Sequence, residues 1–438
     1  MKFLKLLLAL SFIMPLAGCF GNEPNDIAYI VALGFDKSED DLNYKITMQF
    51  AKPTQISGGA SEEGGKGGPN IVENIVVEAP NIYAGLNTAN HIVSKKFSLY
   101  HTKLFVFSQE VAKEGVDNLL ETMSRSEEIR PDVYIAVSLG SANEYLTEVK
   151  PVVELNPAKY YQLTYDKNDS AGFPRCTLQD FYFIENTNYC DAAVPLAGII
   201  KSEDSSEGEN GQSGQEEQKS EEGGETTENA NNKNAPVNEK GFEYKIKNYT
   251  AGEVAIQEEN KSETMGMAIF SEKKMVGTMG GIDSVIYNIL KGEYRGGYVT
   301  FYDDKASKMP VTVKIIQQKK PLVNINIDEK KINIKTYLES DFYSLTSNNV
   351  LEKDISHFEE TAKKEIEDAC TEFIKYTRDT YNADVLALGL KAKKYFLTDE
   401  SFKEYNWREK FKEYEISVET DFKVKRTGLT IREEQNGE

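Results

Sequence analysis

Histidine, tryptophan and cysteine are scarce in this chain of 438 residues, which contains three, one and four of them respectively. The three histidines, His91, His101 and His357, are far apart in sequence, and no His or Cys pair has the spacing of zinc ligands. A Gly-x-Ser-x-Gly nucleophile elbow is also absent, and the glycine run around Lys66 lacks the Ser or Thr of a phosphate-binding loop. The sequence therefore predicts no catalytic residues, no metal site and no enzyme activity.

Basic residues are outnumbered, with 51 Lys and Arg against 71 Asp and Glu, and the formal net charge is −20. So acidic a chain is poorly suited to bind nucleic acid or to adsorb electrostatically to anionic lipid. After the first eighteen residues, no apolar run approaches the roughly 20 residues that a membrane-spanning helix requires. The chain is long enough for two or three domains, and its 39% hydrophobic residues can form buried cores.

The N-terminus carries the most specific motif. Two lysines precede a short apolar run that breaks at Pro15, and Leu16, Ala, Gly18 and Cys19 follow. A basic region, a short apolar region and small residues at the cleavage point are typical of a secretory signal peptide, and a cysteine directly after them is typical of a lipobox. We expect residues 1–18 to be a signal peptide, cleaved between Gly18 and Cys19. Cys19 would then carry diacylglycerol and an N-acyl chain such as palmitate, and more than one chain makes a stable membrane anchor.

Three cysteines remain once Cys19 is assigned to lipid. An extracytoplasmic location permits disulfides, and Cys176 and Cys190 are close enough in sequence to pair, which would leave Cys370 unpaired. No spacing requires that pairing. The sequence leaves it open and favours buried free thiols.

Two low-complexity segments divide the chain, a glycine-rich one at residues 57–69 and an acidic one at residues 202–240. The acidic segment has almost no apolar residues, so burial cannot offset the entropy of ordering it. We therefore predict an N-terminal domain at residues 19–200, an acidic linker or surface loop at 201–241, and a C-terminal domain at 242–432.

Hydrophobic periodicity predicts a mixture of strands and helices in the N-terminal domain. The predicted strands are 27–35, 42–50, 71–78, 103–108 and 133–139, and the second of them alternates as a half-buried strand does. The predicted helices are 81–94, 109–123, 141–149 and 157–165. The polar residues 37–41 suit a hairpin turn between the first two strands.

The C-terminal domain should contain a sheet covered by one long amphipathic helix. Strands are predicted at 265–270, 274–278, 297–302, 311–317, 322–327, 332–337 and 414–424, and short helices at 282–290 and 401–411. Apolar residues at three- and four-residue steps predict a helix of about eight turns over residues 351–377, with a capping box formed by Asn349 and Glu352. The fold class is thus a multi-domain α+β protein with mixed β-sheets and packed helices.

The order of several short motifs resembles the C subunits of spore germinant receptors, the Ger(x)C lipoproteins. In the first half they are Gly34-Phe-Asp36, Tyr100-His-Thr-Lys103 and the stretches around Val111, Arg125 and Val137. In the second half they are Gly266–Phe270, Ala383–Gly389, Trp407 and Arg426-Thr-Gly428. The chain departs from the family in having Phe20-Gly21 after the lipid cysteine, where Trp-Asp is common, and in its two low-complexity segments.

The resemblance implies a non-enzymatic component of a nutrient-sensing complex. Such subunits sit on the outer face of the cell or spore inner membrane and act with a multi-spanning A subunit and a transporter-like B subunit. Whether this subunit itself binds the small-molecule germinant is left open. Two alternatives are a solute-binding lipoprotein of a transporter, which the long-helix C-terminal domain fits poorly, and a surface hydrolase, for which no activated nucleophile is visible.

The motif residues themselves are better explained by structure than by ligand contact. We expect His101, Arg125, Glu128 and Arg130 to be internal hydrogen-bond or ion-pair partners that hold strands to helices. Glycines at 115, 140 and 389 would serve turns or helix ends, because glycine adopts positive φ at little cost. Cys19 is then the one residue to which the sequence assigns an individual function.

Overall fold

A computed structural model gives the fold of most of the chain. The residues it describes are 26–40, 43–51, 72–150, 154, 156–166, 172–200, 248–254, 261–302, 310–345 and 351–426. Gly18, Cys19, Asn349 and both low-complexity segments lie outside these residues. Two β-sheets with packed helices make up the described part, which confirms the predicted α+β class.

The first sheet contains nine strands. They are β1 (Ile27–Lys37), β2 (Tyr44–Ala51), β3 (Val72–Ala79), β4 (Lys96–Ser98), β5 (Leu104–Ser108), β6 (Tyr134–Ser138), β7 (Ala193–Ile199), β8 (Ser262–Ser271) and β9 (Lys274–Met279). Their order is β3-β2-β1-β5-β6-β7-β8-β9, with β4 beside the start of β1. The centre, β1-β5-β6-β7, is parallel, and both flanks are antiparallel.

Helices cover both faces of this sheet, and its central strands are therefore buried on both sides. One face packs against α1 (Ile82–Ile92), α2 (Gln109–Glu114), α3 (Asp117–Ser124) and α6 (Leu178–Glu185). The other packs against α4 (Ala142–Glu148) and α5 (Pro157–Tyr165).

Two predictions in this half need correction. Strand β2 is not half-buried, because Thr47 and Gln49 on its polar side are fully covered; Gln49 donates to the Leu146 carbonyl at 2.7 Å and accepts from Tyr161 Oη. The single helix predicted at 109–123 is two helices, since Gly115 adopts φ +124° and ends α2. Strand β4, helix α6 and strand β7 were not predicted.

The second sheet contains β10 (Gly297–Tyr302), β11 (Pro310–Gln317), β12 (Leu322–Asn326), β13 (Lys331–Leu345) and β14 (Glu415–Arg426). Strand β13 pairs with β12 along its first half and β11 along its second, while β14 lies parallel on its other side. Helix α8 (Leu351–Tyr381) packs across this sheet, as predicted. Its Phe358 contacts the rings of Phe301, Phe342 and Phe422 at centroid distances of 5.3, 5.1 and 6.2 Å.

Short helices connect the two sheets and the long helix. They are α7 (Gly281–Lys291), α9 (Leu388–Lys393), α10 (Asp399–Tyr405) and α11 (Trp407–Lys410), which a 3₁₀ turn follows. The helix predicted at 401–411 is interrupted, because Asn406 lies in the left-handed region at φ +53°. Helix α9 was not predicted.

The first sheet joins the two halves of the chain. Strands β8 and β9 follow the acidic segment in sequence, yet β8 pairs with β7 and β9 with β8. The division into domains at residues 201–241 stays a prediction. Within the described residues, no helix combines the length and apolar character that crossing a bilayer requires.

Candidate functional site

A buried cluster of charged residues lies where the two halves meet. Asp191 precedes β7, and Asp384 lies in the turn after α8. The Asp384 amide donates to Asp191 Oδ2 at 2.8 Å, and the Asp191 amide donates to the Asp384 carbonyl at 3.0 Å. This reciprocal pair ties residues 193 positions apart in sequence. We call Glu185, Asp191, Asp384, Trp407 and Arg408 the junction cluster.

Asp384 organises the motif at residues 383–389. Its carboxylate accepts hydrogen bonds from the amides of Leu388 at 2.9 Å and Gly389 at 2.7 Å, and from Trp407 Nε1 at 3.0 Å. The carboxylate thus holds the first turn of α9 against the indole ring. Burial raises the pKa of Asp384 to about 6, although these three donors favour its charged form.

Arg408 supplies the positive charge of the cluster. Its Nη2 donates to Asp191 Oδ1 at 2.8 Å, and its Nη1 donates to Ser271 Oγ at 2.8 Å and to the Asn382 carbonyl at 3.2 Å. The Arg408 side chain is 16% exposed and that of Asp191 only 2%. Burial raises the pKa of Asp191, and Arg408 opposes this rise.

Glu185 closes the cluster on the side of the first sheet. Its Oε1 accepts from the Ala192 amide at 3.0 Å and its Oε2 from the Lys273 amide at 2.7 Å. Burial and the nearby Asp191 raise the pKa of Glu185 to about 7. Glu185 therefore links the end of α6 to the start of β7 and to the turn between β8 and β9.

The junction cluster has the properties of a structural clamp. Each of the six carboxylate oxygens of Glu185, Asp191 and Asp384 accepts a hydrogen bond from a protein donor. Protein donors therefore engage every carboxylate oxygen of the cluster. In the described part of the chain, no group of three or more His, Cys, Asp or Glu side chains is placed to hold a metal ion.

The three cysteines that the structure describes are buried. Cys176, Cys190 and Cys370 are all free, so the structure contains no disulfide between the first two. Burial raises the pKa of Cys176 well above its usual value and those of Cys190 and Cys370 to about 12. The thiolate, which is the nucleophilic form, is thus disfavoured at neutral pH.

The four polar motif residues of the first half have different environments. Glu128 Oε2 accepts from the Leu99 amide at 3.0 Å and so ties two loops together. His101 is exposed, with its ring against Tyr29 at a centroid distance of 4.6 Å. The prediction was wrong for Arg125 and Arg130, which are exposed and pair locally with Glu121 and Asp132 rather than holding strands to helices.

The three glycines also differ. Gly115 ends α2 at positive φ, as expected, and Gly140 lies in the loop after β6. Gly389 lies in the first turn of α9, at a helix end as expected. A Cβ there would be 2.2 Å from the Tyr189 carbonyl oxygen and 2.7 Å from the Trp407 ring, so Gly389 is required for close packing against the junction cluster.

The sequence identified part of this cluster. Asp384, Gly389 and Trp407 lie in motifs that the sequence singled out, but Glu185, Asp191 and Arg408 were missed. The one sequence feature that could have indicated Arg408 is its position next to the only tryptophan, Trp407.

Comparisons with known proteins match both halves of the chain. The family model described as "Spore germination protein N-terminal domain" matches residues 21–199, and the model described as "Spore germination B3/ GerAC like, C-terminal" matches residues 265–428. The junction cluster therefore joins residues from both matched regions.

Curated relatives and a solved structure agree with this assignment. Spore germination protein KC of Bacillus subtilis (strain 168) is 30% identical over 167 residues, 38% of this chain and 40% of that protein. Putative spore germination protein YfkR of the same organism is 27% identical over 143 residues, 32% of this chain and 37% of that protein. The alignments thus span about two fifths of either relative.

The crystal structure of the GerBC protein has a similar fold. It superposes with a TM-score of 0.50 at 14% sequence identity, over 90% of this chain and 96% of that one. With both family models matched in order and the fold shared, the chain belongs to the Ger(x)C family of spore germination proteins.

Proposed function

We propose that the protein is the lipid-anchored, non-enzymatic C subunit of a spore nutrient-germinant receptor and is needed for the germination response. The observation that carries this proposal is the match of both germination-protein models, in order, to the two halves that the junction cluster joins. The subunit would act through contacts with the A and B subunits of the receptor.

The proposed anchor would hold the folded part close to the membrane. Cys19 is seven residues before Asp26, and β1 begins at Ile27. Seven residues span at most about 25 Å when fully extended. The end of the first sheet where β1 begins would therefore face the outer surface of the spore inner membrane.

The chemistry of the described residues supports a non-enzymatic role. Each oxygen of the junction carboxylates accepts a hydrogen bond from the protein, and the three free thiols are buried with raised pKa values. The three histidines lie on separate elements: His91 in α1, His101 in the loop before β5 and His357 in α8. Contacts with partner proteins do not need an activated nucleophile.

Membrane fractionation of spores tests the anchor and the complex together. We expect the wild-type chain in the inner-membrane fraction, where antibodies to the A subunit co-precipitate it. Cys19→Ala should release the chain or leave it unprocessed, while Phe20→Ala, which keeps the motif at residues 16–19, should behave as wild type. A Cys19→Ala chain that is processed, membrane-bound and co-precipitated like the wild type would contradict the proposed anchor.

A further inference from the structure

A cleft of about 720 Å³ lies between the two halves of the protein. Asp166, Arg175 and Asp180 line it from the first half, and Tyr287, Tyr294 and Gln317 from the second. Its volume is within the range of about 300–1,000 Å³ that is usual for small-molecule sites. We call this the interdomain cleft. Its lining contains no carboxylate of the junction cluster.

The two walls of the interdomain cleft differ in charge. On the first wall, Arg175 lies 3.3 Å from Asp166 and 3.6 Å from Asp180, so one guanidinium faces two carboxylates and this wall is net negative. The second wall carries four basic side chains and one acidic one, so it has an excess of positive charge (Lys291, Arg295, Lys319, Lys320 and Glu293).

Lys391, which is not part of the lining, adds to the positive charge of this region. Burial and the positive charge of Lys291 lower the pKa of Lys391, Lys320 contributes in the same direction, and Asp384 opposes them. In a chain of net charge −20, such a local excess of positive charge is suited to an anion.

Two tyrosines and a glutamine with an unpaired buried oxygen line the same cleft. Tyr287 and Tyr294 are each 4% exposed. Burial raises the pKa of both phenols, so they remain protonated donors at neutral pH. Gln317 Nε2 donates to the Ile289 carbonyl at 2.8 Å, but its buried Oε1 has no partner among the described residues.

These side chains together indicate which chemical groups a ligand of the cleft would carry. A buried polar group without a hydrogen bond is unfavourable, and a ligand that donates to Gln317 Oε1 would relieve this. The lysines and the two phenols are donors and favour an anionic group. Gln317 Oε1 is an acceptor and favours a hydroxyl or amino group on the same molecule.

We propose that the interdomain cleft binds a small molecule that combines a phosphate or carboxylate group with hydroxyl or amino donors. The anionic group would lie against Lys291 and the phenols of Tyr287 and Tyr294, with a donor reaching Gln317. Because the two walls belong to different halves, a bound molecule would link them. This proposal goes beyond the receptor role and is tested without spores.

Titration calorimetry on the full chain in detergent at low ionic strength tests the proposal. The probes are inorganic phosphate, glycerol 3-phosphate, glycerate and glycerol. We expect saturable binding of glycerol 3-phosphate or glycerate, at least threefold tighter than that of inorganic phosphate, and none of glycerol. The preference between the two larger anions would assign a phosphate or a carboxylate site.

Three variants locate the binding site. Lys291→Gln should weaken binding of the preferred probe at least tenfold and Tyr294→Phe at least threefold, while Lys364→Gln, on the exposed side of α8, should leave it unchanged. Unaltered Trp407 fluorescence would show that each variant is folded. The proposal is overturned if no anionic probe binds saturably, or if Lys291→Gln and Lys364→Gln bind equally well.

Discussion

Replacing Arg408 with methionine should open the junction between the two halves. The substitution keeps an apolar stem of similar length but removes the guanidinium that pairs with Asp191 at 2.8 Å. It also removes the donors to Ser271 Oγ and the Asn382 carbonyl. Asp191, 2% exposed at its side chain, would then be a buried carboxylate without a cation.

The loss of stability that we expect from Arg408→Met follows from the burial of Asp191. Removing one partner of a buried ion pair destabilises a protein by about 3–5 kcal/mol. We expect the lower end, about 3 kcal/mol, because Asp191 keeps the hydrogen bond from the Asp384 amide and Arg408 is already 16% exposed. Each 1.4 kcal/mol is a factor of about ten, so the junction should open more than a hundredfold more often.

Trp407 makes the opening measurable. It is the only tryptophan, is 2% exposed, and donates its indole N–H to Asp384. Urea unfolding followed by its fluorescence therefore reports on the junction directly. Arg125→Met is the matched control, because the Arg125–Glu121 pair is 76% and 63% exposed and should contribute no more than about 1 kcal/mol.

A double-mutant cycle separates the ion pair from general damage. Arg408→Met combined with Asp191→Asn should cost at least 1 kcal/mol less than the sum of the two single substitutions, since the second removes the charge that the first leaves unpaired. The stabilising role of the ion pair would be refuted if Arg408→Met and Arg125→Met lowered the free energy of unfolding equally. Strict additivity in the double-mutant cycle would refute it as well.

Three further predictions concern the same region. The pKa of Glu185 is raised from 4.5 to about 7, so the folded protein retains a proton that the unfolded chain loses, and its free energy of unfolding should fall by up to about 3 kcal/mol as pH rises through this window. Glu185→Gln should flatten the fall between pH 5 and 7, and an unchanged slope there would contradict the assignment. Gly389→Ala should cost about 3 kcal/mol through overpacking, whereas Gly140→Ala, whose nearest neighbour would be 3.9 Å away, should be nearly neutral in the same urea titration. The three buried thiols should react with a thiol reagent only after urea unfolding (Cys176, Cys190 and Cys370). Rapid labelling of any of them in the native chain would show that it is accessible and would contradict this prediction.

Hydrophobic periodicity predicted most elements because each is a local pattern. The alternation from 414 to 424 and the three- and four-residue steps along α8 depend only on which face is buried. The same patterns do not specify partners. The strand pair β8–β9 was predicted, but its place beside β7 depends on a connection across the acidic segment, on which periodicity has no bearing.

The junction cluster illustrates the same limit at the level of side chains. Asp191 and Arg408 are 217 residues apart, and in so acidic a chain neither differs locally from other charged residues. Thr47 and Gln49 alternate as solvent-facing residues do, yet helices α4 and α5 cover them and satisfy Gln49. Gly389 was expected to serve a turn or a helix end, and it lies at the start of α9, but its tighter constraint, the Tyr189 carbonyl, comes from a distant segment.

The most direct test of the proposed receptor role is dipicolinate release from spores that lack this gene, measured after a panel of nutrients. We predict selective loss of the response to some nutrients with normal vegetative growth, restored by the wild-type gene but not by Cys19→Ala. Two results would contradict this role. One is normal dipicolinate release after every nutrient in a strain that lacks this gene and all other C subunits. The other is a defect in vegetative growth or nutrient uptake instead of a defect in germination.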